Sequence, residues 1–451
     1  MIQYKQSYYN FVISSGEYVC LYNSKTGCVG VLKEDKTKIM KILSNPNSFA
    51  EDDVFKALLE NQFIIEADRD EIYEVACNME GANKDAGNLN LIILPTEACN
   101  FACPYCFVKE NNVHMDNEMY DSILRFIDKQ CSKFHSYSKE PLKVSIGWFG
   151  GEPTLFAKDI VAFMKELMKR DLELDGKIVT NGYLLTNELF EMLLDAGVNN
   201  YQVTLDGTSD NHDRFRKLKN GDGTFDKIYA NLTNIKNSFS ADNYHISIRG
   251  NFNKENISSM EKLSEKFLAD FGEDPRFDIS FRPVLDFEQI RDSNTSGEIA
   301  FCSKQEALDI QSSLANLVYG DNDLKTSNRM FAVLPEPINK WCNVANSNSV
   351  IIDPKGNIFA CDSVISDKNE SIGKMGLDGE ITYNAQEKRW RETIFQSAKY
   401  PKCQQCKLLP VCLGGCTRER LNKGVGCCTW TVNYIEKMMK EYCTRYSKEG
   451  A

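Results

Sequence analysis

Three cysteines within eight residues constrain this chain more than any other feature. They lie in the run Cys99-Asn100-Phe101-Ala102-Cys103-Pro104-Tyr105-Cys106, spaced CxxxCxxC, just after an apolar stretch at 89–94. Thiolates at this spacing can hold three irons of a four-iron cluster, and a cluster needs four ligands. The fourth iron is left for a ligand that is not a cysteine, so the spacing points to chemistry as well as structure. A zinc site would bring two CxxC-like pairs, and no second pair or histidine lies nearby in the sequence.

The rest of the composition agrees with a metal–sulfur protein. The chain has 451 residues, enough for two to four domains. It carries 17 cysteines and 4 histidines, with most of the cysteines in two tight groups. A secreted disulfide scaffold would be short. No run of about 20 apolar residues is present, and the N-terminus lacks a signal-peptide layout. The expected setting is a reducing cytoplasm, away from membranes. The 53 basic residues against 64 acidic ones leave a net charge of −11, which argues against a nucleic-acid partner.

Residues 1–80 read as a small α+β unit: strands at 10–13, 17–22 and 28–32, then helical periodicity at 36–43 and 52–59 with Asp52 as an N-cap. Residues 79–87 read as a polar linker. From 88 to 290 strands at 89–95, 143–149, 177–180, 201–205, 245–251 and 278–283 alternate with helical segments, the pattern of an incomplete parallel (β/α)6 barrel. Such barrels carry their chemistry on the loops after the strands, where the cysteine run falls. Residues 291–335 read as a helical bridge, with the helix at 305–319, and 336–451 as a cysteine-rich C-terminal domain.

The cysteine run resembles the CxxxCxΦC signature of the radical S-adenosylmethionine enzymes, with Tyr105 as the aromatic Φ. The resemblance implies that Cys99, Cys103 and Cys106 hold a 4Fe-4S cluster whose open iron binds S-adenosylmethionine, and that the cofactor's cleavage yields a radical that removes a hydrogen atom from the substrate. Gly150-Gly151-Glu152-Pro153 matches the family's GGEP motif, whose Glu152 would meet the amino group of the cofactor; glycine there lets the backbone approach the ligand. Thr180-Asn181 end the third strand and Thr204 and Asp206 the fourth, where relatives place a Ser or Thr toward the ribose or methionine part; the resemblance implies that all four bind the cofactor. Either Arg216 or Arg249 could pair with the cofactor's carboxylate. His212 is expected to position a loop. No residue stands out as a catalytic acid or base.

The second cysteine group reads Cys342-x13-Gly356-x4-Cys361, then Cys403-x2-Cys406-x5-Cys412-x3-Cys416, then Cys427-Cys428. It resembles the SPASM extension, with two auxiliary 4Fe-4S clusters and so three in all. Carried across, Cys342, Cys361 and Cys416 hold the first and Cys403, Cys406, Cys412 and Cys428 the second, with Cys427 the alternative to Cys428. Some relatives have a further cysteine between Cys342 and Cys361. This chain has none, so a substrate thiolate, Cys427 or Cys443 could complete the set. A hairpin is expected at 350–360 and a helix at 432–442.

The resemblance implies a maturase that joins cysteine sulfur to carbon in a ribosomally made precursor peptide. The leader would dock on residues 1–80, and a flavodoxin- or ferredoxin-like protein would supply electrons. The alternatives are formylglycine formation of the anaerobic sulfatase-maturase type and carbon–carbon crosslinking.

Overall fold

The computed structural model describes residues 2–84, 86–285, 299–320, 334–424, 428 and 431–449. The chain packs into two compact units that do not follow sequence order.

The first unit takes residues 1–84, 324–346 and 392–451. Strands β2 (Asn10–Ser15), β3 (Tyr18–Asn23) and β4 (Val29–Leu32) form an antiparallel sheet, and β1 (Tyr4–Gln6) pairs with β5 (Ile64–Glu66). Helices Lys36–Ser44 and Asp53–Glu60 start where Asp35 and Asp52 accept hydrogen bonds from the backbone N–H groups of Thr37 and Val54. Val19, Leu21, Ile39, Ile42, Phe55 and Phe63 fuse sheet and helices into one core. The expected linker at 79–87 is partly helix. Glu71–Asn83 is capped by Asp70 and buries Val75 and Met79, and the next strand begins at Asn88. Burial of one face outweighs its poor helix formers, Asn78 and Gly81.

Later segments close this unit. Lys407 Nζ donates to the Asn10 carbonyl at 3.1 Å, and the Tyr22 hydroxyl donates to the Pro335 carbonyl. Helix Val432–Glu449, longer than the expected 432–442, lies against β2 and β3. There Cys443 is buried beside Cys20 and Ser15. Outside the two cysteine groups, Cys20 is buried and Cys77 exposed.

The second unit takes residues 85–323 and 347–391. Six parallel strands, β6 (Asn88–Thr96), β7 (Leu142–Gly150), β8 (Leu172–Thr180), β9 (Val198–Thr204), β10 (His245–Phe252) and β11 (Phe277–Pro283), lie side by side in chain order with helices between them. This is the expected partial barrel. Along β10, Ile246, Ile248, Gly250 and Phe252 are buried, while His245, Ser247, Arg249 and Asn251 on the other face are half-buried. β8 starts five residues before its expected position. Its polar residue Asp175 accepts hydrogen bonds from Ser145 at 3.2 Å and Asn200 at 3.1 Å, so charged sequence there is barrel wall, not loop.

The expected hairpin at 350–360 is β12 (Ser349–Ile352) and β13 (Asn357–Phe359), turned by Gly356 at φ +75°. β12 pairs in parallel with β6, and β13, β14 (Gly373–Met375) and β15 (Ile381–Tyr383) continue the sheet to ten strands. Of the helical bridge, Lys304–Tyr319 forms as expected, behind a Ser303–Glu306 capping box; 286–298 and 321–333 lie outside the described residues. Among the described residues no helix is long and apolar enough to cross a membrane.

Candidate active site

The loops that leave the C-terminal ends of β6 to β10 meet at one mouth of the barrel. The cysteine loop is held from two sides. Ala102 N–H donates to the Lys217 carbonyl at 3.0 Å and Lys219 N–H to the Asn100 carbonyl at 3.2 Å. From β7, Gly151 N–H donates to Thr96 O at 3.1 Å and Glu152 N–H to Ala98 O at 2.8 Å. This contact explains both glycines of the GGEP motif. A Cβ on Gly150, whose φ is +130°, would stand 2.3 Å from Thr96 O, and one on Gly151 would stand 2.1 Å from Ala98 O. Close approach of two loop backbones therefore requires glycine here, before any ligand is considered.

Glu152 is buried, and its carboxylate knits the ends of β7 and β8 together. Its Oε1 accepts from Thr154 N–H at 3.1 Å, Thr154 Oγ1 at 2.5 Å and Thr180 Oγ1 at 2.6 Å, and its Oε2 accepts from Asn181 N–H at 2.7 Å. Burial pushes its pKa up while these donors pull it down. Pro153 opens the short turn that follows. Asn181 Nδ2 also donates to Asn100 Oδ1 at 2.8 Å, so β8 anchors the cysteine loop directly.

Cys99, Cys103 and Cys106 each lie within electrostatic reach of another of the three, and Arg216 faces all of them. Burial pushes the Cys99 and Cys103 thiols up to about 12. Phe101 N–H donates to Cys99 Sγ at 3.3 Å, and Cys106 N–H closes the CxxC turn onto Cys103 O at 3.2 Å. Among the described residues no group of His, Cys, Asp or Glu is gathered tightly enough to hold a single metal ion. A four-iron cube takes its thiolates at separate corners, and an all-cysteine trio in one pinned loop has the donor chemistry for it.

Behind the cysteines lies a buried polar cluster. Tyr105 Oη donates to Asp206 Oδ2 and accepts from Arg216 Nη1 at 2.9 Å, and Arg216 Nε stands 4.0 Å from Asp206. Asp206 Oδ1 accepts from Asn251 N–H at 3.0 Å. His212 Nδ1 accepts from Asp206 N–H at 3.2 Å, with its Nε2 3.0 Å from Thr224 Oγ1. His212 is therefore a loop-positioning residue, as expected; burial, and then the Arg216 charge, hold its pKa well below the ordinary range. Register sets Thr204, Arg249 and Ser280 side by side on β9, β10 and β11. Arg249 Nε donates to Asn251 Oδ1 at 3.0 Å. The two candidate arginines thus differ: Arg216 is committed to Tyr105 and Asp206, and Arg249 lies further along the wall.

The segment after β13 reaches this mouth. Ser366 Oγ donates to Phe107 O at 3.0 Å, and Lys368 Nζ bridges Glu97 at 2.6 Å and Asp353 at 2.8 Å. Asp362, next to Cys361, faces Arg249. Lys368 and Asp362 carried no sequence signal, because what defines them is a pairing across more than a hundred residues.

Residues 93–267 match the family model of the Radical SAM superfamily. The chain contains a radical SAM domain. It is 25% identical over 355 residues to the cysteine-type anaerobic sulfatase-maturating enzyme of Clostridium novyi (strain NT), an alignment that spans 74% of this chain and 89% of that enzyme. Its fold resembles that of native anSMEcpe with bound AdoMet, with a TM-score of 0.56 at 20% identity, over 79% of this chain and 97% of the other. It also resembles Streptococcus suis SuiB, with a TM-score of 0.50 at 15% identity, over 93% and 96%. A radical SAM domain implies a 4Fe-4S cluster and AdoMet, and the cysteine loop lies within the matched residues.

The auxiliary cysteines divide between the units. Cys361 belongs to the second, and Cys342, Cys403, Cys406, Cys412, Cys416 and Cys428 to the first. Cys406 and Cys428 both lie within electrostatic reach of Cys403. The local geometry repeats that of the cysteine loop: Cys406 N–H closes onto Cys403 O at 3.1 Å, and Leu408 N–H donates to Cys406 Sγ at 3.4 Å. Cys412 ends one short helix and Cys416 caps the next. Cys443, packed against Cys20, is occupied elsewhere, and Cys427 lies outside the described residues.

Proposed function

We propose that the protein is a radical SAM maturase that installs cysteine-sulfur-to-carbon thioether links in a ribosomally made precursor peptide. When bound, the cluster and AdoMet supply a radical able to take a hydrogen atom from an unactivated C–H bond. The chain's own residues fix the geometry. Glu152, Thr180 and Asn181 set the cysteine loop, Thr204 and Arg249 line the wall beside it, and Asp206 and Arg216 hold Tyr105 behind it. Each link removes a hydrogen atom from carbon and a proton from the thiol, and one electron must leave; a flavodoxin- or ferredoxin-like donor and two auxiliary clusters would carry the electron traffic. The first auxiliary set counts three cysteines, one short of four, and a substrate cysteine is a ligand of matching chemistry.

The observation that carries the peptide reading is the free edge of β4. All four of its residues are half-buried, and its outer side has no strand partner among the described residues. At its C-terminal end, by the turn between β2 and β3, lies a polar groove of about 470 Å³ lined by Glu17, Tyr18, Lys33 and Asp35. An extended leader can add to such an edge through its main chain. The second reading, oxidation of a cysteine to formylglycine, is favoured by the alignment over most of the Clostridium novyi enzyme.

Co-expression with a cysteine-containing candidate peptide, followed by mass spectrometry, separates the two. A thioether product loses two hydrogens per link and resists thiol alkylation. A formylglycine product exchanges sulfur for oxygen, loses two hydrogens as well, and reacts with hydrazides.

A further inference from the structure

A second buried arginine lies among the C-terminal cysteines. Arg420 is 5% exposed, and its Nε is buried with no hydrogen-bond partner. Its Nη2 donates to Thr417 Oγ1 at 3.0 Å, and its guanidinium carbon lies 5.2 Å from the centre of the Tyr400 ring. Among the described residues no carboxylate pairs with it. Isolating a cation in this way costs several kcal/mol unless an anion stands near.

Arg420 has Cys342 and Cys403 among its neighbours. It helps line a cavity of about 30 Å³ whose wall includes Lys340, Cys342, Gly415 and Thr417. Its Nη1 lies 3.5 Å from where a Cβ on Gly414 would stand. Gly414 is the centre of a left-handed turn, Leu413-Gly414-Gly415 at φ +46°, +85° and +70°, that joins Cys412 to Cys416. Cys403 also lies within reach of the Arg420 charge. Arg420 thus sits where the two proposed auxiliary ligand sets come together in sequence. The N-terminal site has a counterpart: Arg216 faces Cys99, Cys103 and Cys106, and its Nε is likewise buried without a hydrogen bond.

We propose that Arg420 is the buried counter-charge of the auxiliary iron–sulfur clusters, placed at the turn between Cys412 and Cys416 to stabilise their more reduced, more negative state. A cluster held by thiolates is a net anion, and nearby charge sets its reduction potential. Arg420 is a positioning and tuning residue, not a catalytic one. The inference rests on the auxiliary-cluster reading, and the two can fail separately.

The test uses the full-length chain, reconstituted anaerobically, with Cys99, Cys103 and Cys106 replaced by alanine so that only auxiliary iron remains. Iron and sulfide content comes first; if this background binds no iron, the auxiliary-cluster reading itself fails. R420Q and R420K are then compared in the same background by redox titration followed with electron paramagnetic resonance. R420Q should titrate at lower potential than the parent, or fail to load clusters, while R420K, which keeps the charge, should match the parent in both. The proposal is overturned if R420Q loads and titrates like the parent. It is equally overturned if R420K behaves like R420Q, because charge would then not be what Arg420 contributes.

Discussion

Thr180 Oγ1 donates to Glu152 Oε1 across 2.6 Å, tying the end of β8 to the GGEP turn that follows β7. The carboxylate is buried and takes three further hydrogen bonds, from Thr154 and Asn181. Truncating it strands several buried donors, at about 1–3 kcal/mol each when unsatisfied. E152A should therefore lose roughly 3 kcal/mol or more in urea denaturation, and E152Q, which keeps one acceptor oxygen, about half as much. AdoMet affinity should fall in both, since Asn181 and the cysteine loop lose their anchor. A wild-type unfolding midpoint for E152A would show that this network holds nothing together.

Gly151 and Gly81 predict opposite signs for the same substitution. A Cβ at Gly151 would overlap Ala98 O, whereas one at Gly81 meets nothing within 4 Å in the last turn of a helix. G151A should cost more than about 1 kcal/mol and lower the iron bound by the cysteine loop. G81A should stabilise by about 0.5–1 kcal/mol. Thermal melts with iron quantitation read both.

Acid should weaken the first unit through Glu74. Arg69 Nε and Nη2 donate to it at 2.9 and 2.7 Å, and Lys25 Nζ lies 2.5 Å away. The Arg69 hydrogen bond, with help from Lys25, lowers its pKa from 4.5 to about 2. A depressed carboxylate pKa gives stability that is complete above the unfolded value and disappears as pH falls through the folded one. The loss should thus fall between about pH 4.5 and 2. The carboxylate is 31% exposed, and solvent screening reduces the contribution to about 1 kcal/mol. E74Q should remove this part of the acid dependence; a stability curve over that range unchanged by E74Q would refute the assignment.

Cluster stoichiometry separates one cluster from three. Replacing Cys99, Cys103 and Cys106 with alanine should remove about four irons per chain and abolish AdoMet cleavage. If the auxiliary sites load, the variant keeps roughly eight; a variant that keeps none leaves a single cluster.

Much of the barrel was legible because its evidence is local. Alternation along β10 and turn residues after each strand are short-range patterns, and the cysteine spacing sits within one loop. His212 was correctly read as a loop anchor, while its bonds to the Asp206 backbone and Thr224 needed coordinates. Legibility ended where the partner is far along the chain. Nothing near Ser349–Ile352 says that it pairs with β6, and nothing near Arg420 says that its Nε is buried without a hydrogen bond. The Glu71–Asn83 helix was half-missed because polarity and a glycine resemble a linker until Val75 and Met79 are seen to be buried. The GGEP glycines were legible as close-approach residues, but what they approach first is the cysteine loop itself.

The parallel pairing of β12 with β6 has a consequence during synthesis. While the ribosome is still making the middle of the chain, the β6 side of the sheet presents unpaired backbone groups, a surface that invites intermolecular association. It is covered only when residues near 350 emerge, about 260 residues after the strand they protect. Nascent chains stopped before that point should aggregate more readily than chains carried through 391, in which this edge of the sheet is paired.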